Sequence, residues 1–279
     1  MTLFERPGVK EVKQRITVSV KHRFHRVDER IKALRQAFHV LRANNDSRLI
    51  YALRDPSPRV RATAIELIAR EKVVSLEGLV RHALTDSNTV VRTEAVEALG
   101  VLHKGSGTHL TDLTACLRDP KPIVRIVAIE SLSLIKDRQS IPEILPLIKG
   151  DDPLVRAYAA ISLADLGCLE CLTHLVDALK QNQPEAAAAG ILVALHLMGS
   201  KDRLPELITL LSSTEYQVRC FVANWLPRLG LHGEDLESAK HGVRIALNNP
   251  VARADASSMS RVLHELSEAH GRVAHTSKT

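Results

Sequence analysis

Aromatic residues make up only 3% of the 279-residue chain: four Phe, three Tyr and a single Trp. Sandwich and barrel cores lean on aromatic and β-branched side chains, so this scarcity argues against them. Gly and Pro together number 25, too few for a fibrous or disordered chain. No apolar run approaches the roughly 20 residues that a membrane-crossing helix needs. The opening stretch, MTLFERPGVKEVKQR, lacks the apolar core of a secretory signal. Four cysteines do not make a disulfide framework in a chain of this length, so free thiols in a reducing, cytoplasmic compartment are expected.

The apolar share, 45%, is therefore carried by Leu, Ala, Val and Ile, which suits packed helices. Net charge is +6 but uneven. Residues 1–45 hold eleven Lys/Arg against four Asp/Glu, a net +7, which leaves −1 for the remaining 234 residues.

One phrase recurs. A Val-Arg pair falls at Val60-Arg61, Val91-Arg92, Val124-Arg125, Val155-Arg156 and Val218-Arg219. The arginines are 31, 33, 31 and 63 residues apart, so one period is doubled. Ala187-Ala188 fills the vacant slot. Turn residues lead into the first four pairs: Asp55-Pro56, Asp86-Ser87, Asp119-Pro120 and Asp152-Pro153. Eleven residues past the Arg slot stand Gly167, Gly199 and Gly230, where a helix C-cap wants a left-handed residue. Lys72, His103 and Lys136 occupy that slot in the earlier units. A second apolar-periodic segment follows each cap. A period near 31 with two helices per unit marks an α-solenoid, in which no unit buries its apolar face alone.

The pattern D-P-x-x-V-R-x-x-A-x-x-x-L, then a cap and a second helix, resembles the HEAT-repeat family. It is most similar to the short HEAT-like repeats named after phycobilin lyases. The resemblance implies an all-α, α-solenoid fold, a HEAT-like superhelix of about seven helix pairs over residues 27–270. Residues 1–26 would be a basic segment, a helical cap or an arm, and residues 271–279 a flexible tail. The resemblance also implies a ladder between neighbouring repeats, pairing Asp55 with Arg61, Asp86 with Arg92 and Asp119 with Arg125. HEAT arrays serve as scaffolds, adaptors, lyase subunits and nucleic-acid binders, so the fold leaves the activity open.

By the same resemblance the Val-Arg helix lines the concave face. Positions one, two, five and nine after the Arg then face a groove. They give an acidic row, Glu66, Glu97 and Glu130, and an apolar floor of Ile126, Val127, Leu134, Tyr158, Ile161, Val193, Leu197 and Phe221, with Asn224 beside it. Solvated helix faces are polar, so an apolar strip there reads as a site for an apolar or amphipathic segment of a partner protein. The competing reading is tight curvature that closes the groove on itself, which the AAAAG run at 186–190 allows.

Other constellations are weaker. Cys168 and Cys171 form a lone C-x-x-C and read as small buried side chains, as do Cys116 and Cys220. Zinc would need two further ligands, so no metal site is expected. His264-Glu265 is a solitary His-Glu dipeptide, whereas HEAT-fold iron hydroxylases carry several. Trp225 sits in the last unit and reads as an end cap, and Pro227 should shorten its helix.

In the basic segment Val9, Val12, Ile16, Val20 and Phe24 recur at helical spacing between Gly8 and Arg26. Lys10, Lys13, Arg15, Lys21, Arg23 and Arg26 would make it either a cap on the first repeat or an arm for nucleic acid or an anionic membrane surface. These readings favour a non-catalytic protein-interaction scaffold or adaptor with no cofactor. The alternatives are a nucleic-acid binder working through the basic arm and a phycobilin-lyase-like subunit.

Overall fold

The computed structural model describes residues 26–36, 46–181, 183–251 and 253–276. Regular structure among them is entirely helical. The chain divides into two compact units, one ending at Lys104 and the other beginning at Gly105. The first holds α1 (26–36), α2 (Asp46–Ala52), α3 (Pro58–Arg70), α4 (Glu77–Ala83) and α5 (Thr89–Leu102). The second holds α6 (Thr111–Cys116), α7 (Pro122–Ile135), α8 (Ile141–Ile144), α9 (Pro153–Asp165), α10 (Leu172–Lys180), α11 (Glu185–Leu197), α12 (Leu204–Thr209), α13 (Tyr216–Trp225), α14 (Gly233–Asn248) and α15 (Arg253–Thr276). The last helix thus runs past residue 271, where a tail was expected to begin. The second unit opens on Gly105 and Gly107, both left-handed, whose N–H groups donate to the carbonyls of Leu134 and Ile135 at 2.9 and 2.8 Å.

The helices start and stop where local chemistry asks. Pro58, Pro122 and Pro153 open α3, α7 and α9, where a missing N–H costs nothing. The Asp152 carboxylate accepts from the N–H groups of Leu154 and Val155, both at 3.0 Å. Gly167, Gly199 and Gly230 have positive φ at the expected caps, and Lys72 and Lys136 adopt the same left-handed backbone without being glycine. Pro227 ends α13 at Trp225, and residues Leu226–Arg228 tighten into a 3₁₀ turn.

The Val-Arg helices stack in order, α3 on α5 in the first unit and α7, α9, α11, α13 and α15 in the second. Their aliphatic stripes supply the core: Ile65, Leu67 and Ile68 on α3, and Ile129, Leu132 and Ile135 on α7, are wholly buried. Each such side chain contributes about 1.5–3 kcal/mol by leaving water.

The ladder exists but is offset by one repeat from the expected pairing. Each turn aspartate first folds its own turn: Asp55, Asp86 and Asp119 accept the N–H two residues on, each at 2.8 Å. Each arginine then donates to the carbonyl six residues before it, Arg61 to Asp55, Arg92 to Asp86 and Arg125 to Asp119, at 2.8, 2.9 and 3.0 Å. The remaining N–H groups of Arg61, Arg125 and Arg156 reach the turn of the following repeat. Arg61 grips Asp86 with two bonds of 2.8 Å, Arg125 reaches Asp151 at 3.2 Å and Arg156 reaches Gln183 at 2.7 Å. Arg30, one period before Arg61, holds Asp55 at 3.0 Å. Expecting Arg61 to pair with the Asp55 carboxylate was wrong, because that carboxylate takes Arg30 of the preceding repeat, just as Asp86 takes Arg61.

The C-x-x-C expectation also needs correcting. Cys168 and Cys171 are buried as anticipated, but they are joined as a disulfide rather than free. The 3₁₀ turn after Gly167 brings their Cα atoms to 5.3 Å, within bonding range. Cys116 and Cys220 are free thiols.

In the second unit α9 and α11 approach closely. A Cβ on Gly190 would overlap the backbone and side chain of Ala157. Ala157, Ala189 and Ala194 are wholly buried between or beside these helices.

Two substitutions follow from these contacts. The Arg61 and Asp86 side chains are only 16% and 15% exposed, whereas Asp151 is 90% exposed opposite Arg125. Arg61→Ala is expected to cost about 2–3 kcal/mol, because Asp86 keeps its desolvation cost without its cation. Arg125→Ala should cost only about 1 kcal/mol, since a solvated partner is easily re-hydrated. Urea unfolding of the two variants checks that order. Gly190→Ala is expected to destabilise by about 1–3 kcal/mol, since the added methyl must push the α9 and α11 backbones apart. Thermal melting reads this directly, and an unchanged midpoint would mean that α9 and α11 are not in contact.

Candidate functional site

The predicted acidic row divides between the units. In the first, Glu66 is half-buried and held by Arg35 at 3.0 Å and Arg70 at 3.7 Å, while Glu97 is exposed. Between them in sequence lies Glu94, also half-buried. Burial, then the charges of Glu97 and Glu66, push its carboxyl from 4.5 up to about 7. The row as predicted left out Glu94, although it stands two residues after an arginine on the groove-facing register. In the second unit Glu130 is exposed on α7.

The apolar floor is largely closed. Ile126, Ile161 and Val193 are buried, with 7%, 4% and 0% of their surface exposed, so they are core and not groove. This corrects the register at those three positions. For Ile161 and Val193 the reason is the close approach of α9 and α11: with Gly190 against Ala157, slots that would face a wider groove fall inside the stack. Val127, Tyr158, Phe221 and Asn224 are half-buried, and Leu134 and Leu197, at the ends of α7 and α11, remain exposed.

What stays accessible is an aromatic cluster with a charged rim. Tyr158 on α9 meets Phe221 on α13 edge to face, with ring centres 6.0 Å apart. Phe221 in turn lies 6.5 Å from Trp225. The Arg228 guanidinium sits 5.2 Å above the Trp225 ring. Asn224 Oδ1 accepts from Arg261 on α15 at 2.6 Å, and Arg261 also donates to Glu265 at 2.9 Å. Burial, then the Glu130 carboxylate, raise the Tyr158 hydroxyl above its usual value, and Arg228 pulls the other way.

Sequence reasoning named Tyr158, Phe221 and Asn224 here but treated Trp225 as an end cap and left out Arg261. The one available signal was register: Arg228 falls on the groove-facing slot nine after Arg219, and Trp225 lies between it and Phe221. Arg26 is exposed at the start of α1. Lys10, Lys13, Arg15, Lys21 and Arg23 lie outside the described residues. No helix among the described residues is long and apolar enough to cross a membrane.

Comparison with known proteins places the repeats. The profile described as HEAT repeats matches residues 47–109 and 110–195, more than half of the chain. Over 94 residues the chain is 28% identical to a bilin biosynthesis protein, RpcE, of Synechococcus sp. (strain WH8020). That match takes in 33% of this chain and 36% of the relative, so the chain spans about a third of that relative's length. Among solved structures it is similar to a chain in the complex of CpcE and CpcF of phycocyanin lyase from Nostoc sp. PCC7120. The TM-score is 0.55 at 16% identity, covering 78% of this chain and 93% of that one. The expectation of a non-catalytic chain is corrected by these findings, because the proteins it resembles belong to bilin biosynthesis and to a lyase.

The Glu94 environment makes a pH prediction. Its folded value lies above its unfolded one, so the group is stabilising when protonated, and that stability is lost as pH rises from about 4.5 toward 7. Glu94→Gln should leave the melting midpoint at pH 5 nearly unchanged and raise it at pH 8 by roughly 2–4 °C. Equal midpoints for wild type and variant at pH 8 would show that the carboxyl titrates normally.

Proposed function

We propose that this chain, which belongs to the HEAT-repeat family, is a subunit of a lyase-type assembly that handles a bilin while engaged with a second protein. The observation that carries the reading is the accessible face of the second unit. Small-residue packing of α9 on α11 closes the floor on which a long partner helix would lie. An aromatic cluster with arginines at its edge remains, a chemistry suited to a conjugated ligand that carries negative charge. The likeness to a bilin biosynthesis protein supports the ligand class, and the likeness to a chain solved in a two-protein lyase complex supports a protein partner. Leu134 and Leu197, exposed at the ends of their helices, are the apolar positions we assign to that partner.

Mixing the purified chain with a bilin should shift and sharpen the visible absorption of the pigment, since a bound chromophore loses its conformational freedom. An unaltered spectrum at protein concentrations of about 10–100 μM would exclude affinities in the range such a subunit needs. Leu134→Glu with Leu197→Glu should preserve that shift and abolish co-elution with the partner protein, because both side chains are already partly in water.

A further inference from the structure

We propose that Trp225, Phe221 and Tyr158 form the stacking wall, and Arg228 and Arg261 the carboxylate clamps, of a site for a flat open-chain tetrapyrrole bearing two carboxylates. This rests on the reading above and assigns it to particular atoms. The first argument is concentration. The chain has eight aromatic residues, and three meet on one face from positions 158, 221 and 225. Phe221 and Trp225 pack one side against the aliphatic core of the second unit and turn the other outward. The rings are half-buried rather than sealed in the core, so they keep accessible surface.

The second argument is the rim. Arg228 is exposed and lies over the indole face. Arg261 is 56% exposed and tethered to Asn224, which stands one helical turn before Arg228. Arg261 therefore holds the last turn of α13, and Arg228 lies in the 3₁₀ turn that follows it. Guanidinium is weakly hydrated, stacks on aromatic planes and binds carboxylate through two parallel hydrogen bonds. An aromatic wall beside two such groups fits a conjugated plane with two acidic side arms. The charge of the Glu130 carboxylate, on α7, is felt at the Tyr158 hydroxyl and raises it.

The chain contains a single tryptophan, so its emission reports on this face alone. Biliverdin titrated into the full-length protein should quench Trp225 saturably, with a midpoint that matches the shift in the pigment's visible band. Arg228→Gln and Arg261→Gln should each weaken binding about tenfold, the usual loss for one charge-assisted carboxylate contact. Both side chains are well exposed, and far-ultraviolet dichroism will show that the variants keep their helices. Biliverdin dimethyl ester should bind the wild type as weakly as biliverdin binds the double variant, and esterification should make no further difference in that variant. Equal affinity of the wild type for acid and ester, or affinity indifferent to both arginines, overturns the site. If that happens while the visible band still shifts, the lyase-type reading survives and only this assignment falls. If biliverdin produces no spectral change in the wild type, the broader reading fails, and this one with it.

Discussion

An arginine at one fixed slot, present in every repeat of the row but that of α11, ties each turn to its helix. It clamps the carbonyl of its own turn, and from Arg61, Arg125 and Arg156 it also reaches the turn of the next repeat, so those loops are held by their predecessors. Burial alone would push the Asp86 carboxyl up, but its bonds and charge contact with Arg61 outweigh that and hold it below the usual aspartate range. The partner changes along the chain: a carboxylate for Arg61 and Arg125, the Gln183 amide for Arg156, and the Ala246 carbonyl for Arg219. The cross-links thus become less ionic toward the C-terminus. Close packing of small residues takes over there, with Gly190 against Ala157, and the two halves of the array are held by different physics.

The period, the turns, the glycine caps and the effect of Pro227 were all legible in the sequence, because each depends on a residue's own backbone preference or on a spacing within one unit. The offset of the ladder was not. Pairing an arginine with the aspartate six residues before it or with the one about 25 residues after it leaves the same letters in the same order. The first repeat makes the point again: it lacks a Val-Arg pair, yet Arg30 takes the slot and holds Asp55. For the same reason the disulfide was missed, since a C-x-x-C reads alike whether its thiols are free or joined.

The candidate site was half legible. Tyr158 and Phe221 stood on the correct register, but that register could not say whether an apolar side chain there lines a groove or is swallowed by it. Val193 occupies the slot of Glu66 and Glu97 and is wholly buried, because separation between helices varies from repeat to repeat with the size of the residues between them. Curvature is a property of neighbouring units taken together. Ala157 and Gly190 let α9 and α11 lie close together, and an aromatic ring on α9 meets one on α13 beside them.

Ala188 stands where every neighbouring repeat of the second unit has an arginine, so one rung of the ladder is missing between α11 and the turn that precedes α13. A hydrogen bond from Ser213 to Glu185 crosses the interval instead. An array held by nearest-neighbour terms opens first at its weakest interface, so helices α12 to α15 are the segment expected to detach together, with amide exchange faster than global unfolding allows. Tyr158 and Phe221 reach across that same interval from α9 to α13. Whatever settles on their exposed faces must therefore raise the free energy of opening, and by reciprocity a seam that opens readily must weaken its hold.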